Sequence, residues 1–385
     1  MRALFGGALR VLSSFGLSCS LLMLLALLTW LGTLEQVHSG LYDVQKKYFE
    51  SFFLVHDFGP IALPLPGANL VMCVLAANLM IGGILRLRRS WTKVGVLVVH
   101  LGIVMLLIAA FVKNYHSQEG HLTLFEGQSS NAYQSYYRWE VAVARDFGDG
   151  QIQEFLIHQE DFAHAIGSEP VVLKSSELPF DLELSRFMRN CQPKPKGPMF
   201  EVDVPVLDGF FLSNEALRVE AEQNIAGLYA TAILADGTRT GGILWGRDIA
   251  PWTVQAGETT WTVDLRHELY PMPFSVALDV FTKEDHPRTN MPSLFSSDVT
   301  VTDQTAPRPV KIAMNEPLRE KGLVLYQASW GPSNARPGEP LFSTLSVVQN
   351  PADQYPLYSC IVIAAGLLMH FTRMLLGYMR REARR

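Results

Sequence analysis

Along this 385-residue chain the apolar positions gather into four long runs and one extended region of short alternations. A backbone crossing hydrocarbon must satisfy its own hydrogen bonds over about 30 Å, which takes about 20 mostly apolar residues in helical form. Four windows meet that requirement: Val11–Leu31, Leu65–Leu85, Val94–Val112 and Leu357–Leu376. Arg2 and Arg10 precede the first run as they would in a secretion signal. The run is long and no small-x-small cleavage site follows it, so it is expected to remain as a span.

From Trp139 onward, continuous runs give way to a period of two, broken by Gly, Pro, Asn and Asp. Strands are predicted at Trp139–Ala144, Asp181–Phe187, Phe200–Val206, Leu228–Leu234, Trp261–Leu265, Phe274–Phe281, Asp298–Thr302, Val310–Met314, Leu323–Ala328 and Phe342–Val348. The predicted fold class is a membrane protein with four transmembrane α-helices, three N-terminal and one C-terminal, plus a large extracytoplasmic all-β, sandwich-like domain. Residues 1–112 would hold three spans, 113–356 the outer β-rich domain, and 357–385 the last span and a basic tail.

Composition agrees with a membrane location: 48% of residues are hydrophobic and 18% charged, against about a quarter charged in soluble domains. Net charge is -5 and no basic stretch is interleaved with aromatics, so nucleic acid is not an expected partner and membrane lipid is. Cation placement sets the sidedness, because positive loops stay in the cytoplasm. Arg2, Arg10, Arg86, Arg88, Arg89, Lys93, Arg373, Arg380, Arg381, Arg384 and Arg385 lie at one set of span ends with only Glu382 as an acid. That leaves 21 of the 32 cations and 36 of the 37 acids on the other side, a net of -15. The expected location is the cell inner (plasma) membrane, multi-pass, with both termini cytoplasmic.

The chemistry that can be read is sparse. No glycine-rich phosphate loop, H-E-x-x-H or G-x-S-x-G occurs in the outer domain, which points to a non-enzymatic subunit. Cys19, Cys73, Cys191 and Cys360 form no C-x-x-C, and only Cys191 is outside a span, either a reactive thiol or a small loop residue. Ionisable groups within a bilayer are costly and therefore functional candidates. His100 lies six residues inside the third span and His370 six residues inside the fourth, each about 9 Å from the cytoplasmic boundary at 1.5 Å per residue. Two imidazoles at one depth could be axial ligands of a haem iron. Equally, His100 could be a neutral histidine bonded to a backbone carbonyl, and His370 part of an interfacial end with Arg373. Gly82, Gly83, Gly95 and Gly102 allow close helix approach or leave space for a macrocycle. Outside, His116, Glu119 and His121 cluster after the third span, where a metal site and plain solvated histidines are both open readings.

The order of features resembles the ResB family of cytochrome c biogenesis proteins. The resemblance is carried by Gly32-Thr33-Leu34-Glu35-Gln36 after the first span, Leu63-Pro64-Leu65-Pro66-Gly67 entering the second, Asn78 within it, and Gly95 to Gly102 with His100 in the third. Asn315-Glu316-Pro317 and Lys321-Gly322-Leu323-Val324-Leu325-Tyr326-Gln327-Ala328-Ser329 continue it before the last. It implies a System II subunit that works with a CcsA/ResC-type haem-handling partner to carry haem b outward and present it to apocytochrome c, with a thioredoxin-like thiol reductant as a further associate. It implies His100 as an axial ligand of the haem iron and, less directly, His370 as a second haem contact. The chain has no tryptophan-rich W-G-x-x-W-x-W-D string, so it is not the partner itself. A membrane-anchored haem-b electron-transfer subunit and a cofactor-free envelope scaffold remain as alternatives.

Overall fold

The computed structural model describes residues 7, 9–87, 90–148, 151–197, 202–286, 288, 292–303, 306–332, 336 and 339–384. They form two compact units, Met1–Gln118 with Gln349–Arg385, and Glu119–Val348. Arg2, Arg88, Arg89 and Arg385 of the sidedness set lie outside the described residues.

Among the described residues of the first unit, four helices are long and apolar enough to cross a membrane: Phe15–Phe49, Ala68–Leu85, Val94–His116 and Tyr355–Glu382. The first, α1 (Phe15–Val44), starts where the Ser14 hydroxyl accepts the Leu17 N–H at 3.2 Å. It continues well past Leu31 until Gly40, whose φ of 76° and ψ of 165° no side-chain-bearing residue adopts cheaply, turns the chain. Val44 and Tyr48 thereby fold back against Gly32, where an added Cβ would lie 3.3 Å from Val44 and 3.6 Å from Tyr48. A two-stranded hairpin, β1 (Phe53–Phe58) and β2 (Ile61–Pro66), follows between the first and second spans, where no strand was predicted. Next come α2 (Ala68–Asn78), which widens into a π-helical stretch over Leu79–Leu85, then α3 (Val94–His116) and, at the far end of the chain, α4 (Tyr355–Glu382).

Close backbone contact joins α3 to α4. A Cβ on Gly95 would stand 2.7 Å from both the Gly366 carbonyl and the His370 nitrogen, and one on Gly102 would stand 3.1 Å from the Ser359 carbonyl and the Ile363 nitrogen. These glycines are packing residues, because helices in lipid associate where side chains are absent.

The second unit is all-β. Its strands are β3 (Gln118–Phe125), β4 (Ser129–Asp146), β5 (Ile152–His158), β6 (Val171–Leu173), β7 (Phe180–Met188), β8 (Cys191–Pro195), β9 (Phe210–Asn214), β10 (Gly227–Leu234) and β11 (Arg239–Trp245). They continue with β12 (Trp252–Ala256), β13 (Thr259–Asp285), β14 (Pro292–Thr302), β15 (Arg308–Ala313), β16 (Leu318–Glu320), β17 (Leu323–Gly331) and β18 (Phe342–Gln349). One sheet runs β11-β10-β7-β6; the larger runs β15-β14-β13-β4-β3-β18-β17-β16, with β12 beside β13 and β5 beside β4. The ends of the larger sheet meet through a pair of 3.1 Å backbone bonds between Ala313 and Glu316, so it is nearly closed.

Two cores result. Val141, Val143, Val263 and Leu265 face Leu182, Leu184, Leu228 and Ala230 of the four-stranded sheet, making the expected sandwich. Leu122, Val276, Leu278, Val299, Ile312, Leu325 and Val347 fill the nearly closed barrel. Strands β4 and β13 run through both, which corrects the reading of Trp261–Leu265 and Phe274–Phe281 as separate strands. Pro271 and Pro273 between them look like a turn, but the ladder absorbs them as register shifts between His267 and Leu269 and between Pro271 and Val276. The strand expected at Phe200–Val206 begins on residues outside the described set, and Val202–Val206 is irregular.

The contact of α3 with α4 leaves no room for a side chain at Gly95. Gly95→Leu is expected to destabilise the membrane unit by about 1–3 kcal/mol, the usual cost of overpacking, and a lowered thermal midpoint of the detergent-solubilised protein would register it. An unchanged midpoint would mean the helices do not meet there.

Candidate functional site

The third span presents its histidine through a defect in the second. In the π-helical stretch Leu79–Leu85 the Arg86 N–H bonds Ile81 O at 3.0 Å instead of a carbonyl four residues back, the register characteristic of such widened turns. The Gly83 carbonyl lies in the last turn of this stretch, where helix carbonyls lack an intrahelical donor, and it meets His100 Nδ1 at 2.8 Å. Nδ1 carries the proton as donor, and this fixes Nε2 as the lone-pair nitrogen, the arrangement by which a backbone carbonyl orients a metal-binding imidazole. Glycine at 83 is needed, since a Cβ would lie 2.7 Å from His100 Nδ1.

His370 is not brought to His100. Gly95 lies against Gly366 and His370, and Gly102 against Ser359 and Ile363. This antiparallel register puts His100 level with Ile363 and His370 level with Lys93, an offset of roughly 10 Å at 1.5 Å per residue. The faces differ as well: at 3.6 residues per turn His100 is about 140° round α3 from Gly95. His370 Nδ1 is buried and has no hydrogen-bond partner among the described residues.

A pocket of about 360 Å³ lies beside this site, lined by Ile84, Leu85, Trp91, Lys93, Val94 and Leu97 among others. Leu97 is one turn before His100 on nearly the same face of α3. The pocket is apolar in its walls with a lysine among its lining residues, a combination suited to a flat apolar molecule bearing carboxylates. Sequence reasoning used Lys93 only for sidedness, and the pocket could not be seen in it because the π-helical stretch makes one of its walls.

A second cluster escaped notice altogether. The Tyr48 hydroxyl donates to Glu35 at 2.6 Å and is shared with His56 Nδ1, while Lys47 Nζ bonds Glu35 at 2.7 Å. The turn at Gly40 creates it by returning Tyr48 to the level of Glu35, and its polar atoms are spent on one another.

In the β unit His121 packs near His267, with ring centroids 6.2 Å apart. His267 stacks on Trp139 at 3.9 Å and His121 on Tyr136 at 5.0 Å. Both Nδ1 atoms are buried without a partner. Burial pushes the His121 imidazole below its ordinary value and brings His267 down to about 4, helped by the neighbouring ring. Among the described residues no group of three or more metal-ligating side chains occurs, so His116, Glu119 and His121 do not form such a group. Beside the pair, buried Glu268 accepts from Arg138 Nε at 2.7 Å and from the Tyr270 hydroxyl at 3.2 Å. Cys191 is a buried residue of β8, not a loop residue, and burial raises its thiol to about 12, which makes it unreactive.

Two outcomes follow from these placements. Gly83→Ala should displace the His100 ring and lose the 2.8 Å bond; in solid-state NMR of the labelled protein the Nδ1-protonated tautomer of His100 would give way to a mixture. For His267, whose folded value lies below the ordinary 6.5, the unfolded chain binds the proton first. Its contribution to stability is therefore complete above pH 6.5 and is lost as pH falls towards 4. His267→Phe should flatten the fall of the unfolding midpoint across that window relative to wild type, and parallel curves would show that the imidazole is not held neutral.

Compared with known proteins, the chain matches the model of the ResB-like family over residues 87–222 and 242–339, more than half its length. The match includes His100 and most of the outer unit. No curated protein matches it.

Proposed function

Because the chain belongs to the ResB-like family, whose context is cytochrome c biogenesis, we propose that it is a haem-handling subunit that holds haem b as cargo in its membrane region. The observation that carries this reading is the 2.8 Å bond from His100 Nδ1 to the Gly83 carbonyl. It sets the tautomer, orients the ring and leaves Nε2 as the ligand to iron. Haem supplies the iron that this nitrogen holds; everything else is positioning by the chain.

The apolar walls of the adjoining pocket exclude water from the macrocycle, and Lys93 pairs with a propionate at its rim. The basic span ends support an entrance on the cytoplasmic side of the plasma membrane, with both termini cytoplasmic and the β unit outside. His370, level with Lys93, meets the cargo at the entrance and does not share its iron. His100 is turned to Gly83 in the second span, about 140° round α3 from the Gly95 face that meets α4, so the two imidazoles do not face one another across one ion. The second axial ligand then comes from a CcsA/ResC-type partner, with which the subunit moves haem outward for attachment to apocytochrome c. A thioredoxin-like thiol reductant would keep the acceptor cysteines of apocytochrome c reduced. The same divergence of faces disfavours a resident electron-transfer haem held by both histidines of this subunit.

The test is a reduced-minus-oxidised and pyridine haemochrome spectrum of the purified protein, alone and co-expressed with the partner, for wild type, His100→Ala and His370→Ala. Haem b should copurify with the complex, fall at least about tenfold in His100→Ala and return when imidazole is added; His370→Ala should retain the ligation spectrum at reduced loading. Unchanged haem in His100→Ala, or none in any preparation, would sink the proposal.

A further inference from the structure

The outer unit carries two adjoining pockets that share Asn190. One, of about 320 Å³, is lined by Cys191, Arg218, Gln223, Trp245 and Arg247 among others; the second, of about 560 Å³, by Arg186, Phe187, Met188, Arg189 and Leu217 among others. Asn190 is buried and both ends of its amide are engaged, Nδ2 donating to Ala216 O at 2.7 Å and Oδ1 accepting from Ile225 N at 3.2 Å. It serves as a fixed post between the two.

Four arginines thus line two neighbouring cavities on the side of the molecule where the sequence carries 36 acids against 21 cations. Glu215 is the acid in either lining, and Lys194 already holds it at 2.7 Å with Ser213. Arg186 is placed by unusual backbone: its φ is 53°, in the left-handed region, at the register shift where β7 passes β10. A bulge of this kind re-aims a side chain out of the strand's alternation, and strain of this kind is kept where surrounding structure enforces it. Phe187 and Leu217 in one cavity and Trp245 in the other supply apolar surface beside the charges.

We propose that this arginine-lined double pocket binds an amphiphilic dicarboxylate, its apolar body resting on Phe187, Leu217 and Trp245 and its carboxylates divided between Arg186 and the Arg218/Arg247 pair. Guanidinium groups suit this because they meet carboxylates bidentately and remain charged. The site is separate from His100 and stands whether or not that histidine ligates iron. A porphyrin dipropionate and an aliphatic diacid share the required chemistry.

Binding would be measured by calorimetry and by Trp245 fluorescence (wild type minus Trp245→Phe) on full-length protein in nanodiscs with empty nanodiscs subtracted; the Trp245 signal reports the β unit, since iron-free probes do not depend on His100. The probes are iron-free protoporphyrin IX, dodecanedioate and the dimethyl ester of each. At least one diacid should bind, its diester should bind at least about tenfold more weakly, and raised salt should weaken the diacid selectively. Arg218→Gln with Arg247→Gln, both exposed and so tolerated by the fold, should reduce affinity by a similar factor, whereas Arg239→Gln on β11 should not. Which diacid binds identifies the source of the ligand. Binding by neither, equal binding of diacid and diester, or indifference to the double arginine variant would overturn the proposal.

Discussion

In hydrocarbon every backbone polar group must find a partner within the protein, and the membrane unit is organised by the places where ordinary helix does not meet that requirement. The π-helical stretch at Leu79–Leu85 offers the Gly83 carbonyl, and His100 takes it. The break before α1 offers the carbonyls of Leu12 and Ser14, and Asn78 takes both, at 2.8 and 3.1 Å, while accepting from Ser18 at 2.6 Å. A helical defect in one span therefore dictates a polar residue in its neighbour. The imidazole that results is held in one orientation by the backbone of the neighbouring span.

The four apolar helices and the all-β character of the long region between the third and the fourth were legible, because length and period depend only on local sequence, although α1 runs on well past Leu31. Relations between elements were less so. His100 and His370 stand equally far from their span ends, yet the depth of one relative to the other is fixed by where Gly95 and Gly102 admit the α4 backbone, a contact no window of sequence contains. His121 suggested His116 as companion because they are close in sequence; pairing of β4 with both β3 and β13 gave it His267 instead. The hairpin at Phe53–Pro66 was missed since Pro64 and Pro66 argue against a strand, and they are tolerated in a ribbon of two strands where an edge needs no donor. Cys191 was placed in a loop because the prolines around it mask a short strand.

The strings that carried the family resemblance prove to be structural posts. Gly32 makes room for Tyr48, and Glu35 receives the hydroxyl of the same tyrosine. Asn315-Glu316-Pro317 forms the turn through which the barrel edges meet. Gln327 sits among buried Ser297 and Ser343, accepting at 2.7 Å from one and donating at 3.0 Å to the other. Glu35 and Gln327 are part-buried polar groups whose side chains are engaged by neighbours, and such groups are expensive to replace singly. Of the residues through which the subunit would do its work, His100 lies within those strings, whereas Lys93 and the arginines around Asn190 lie outside them.

All four cysteines are free, and the one in the outer unit is sealed in the core with its thiol held protonated. The β unit consequently keeps its shape by packing alone and is blind to the redox poise around it. Neither an oxidant that makes disulfides nor a reductant that opens them has a covalent handle on its fold. Such a scaffold can stand beside thiol chemistry performed on another chain and take no part in it.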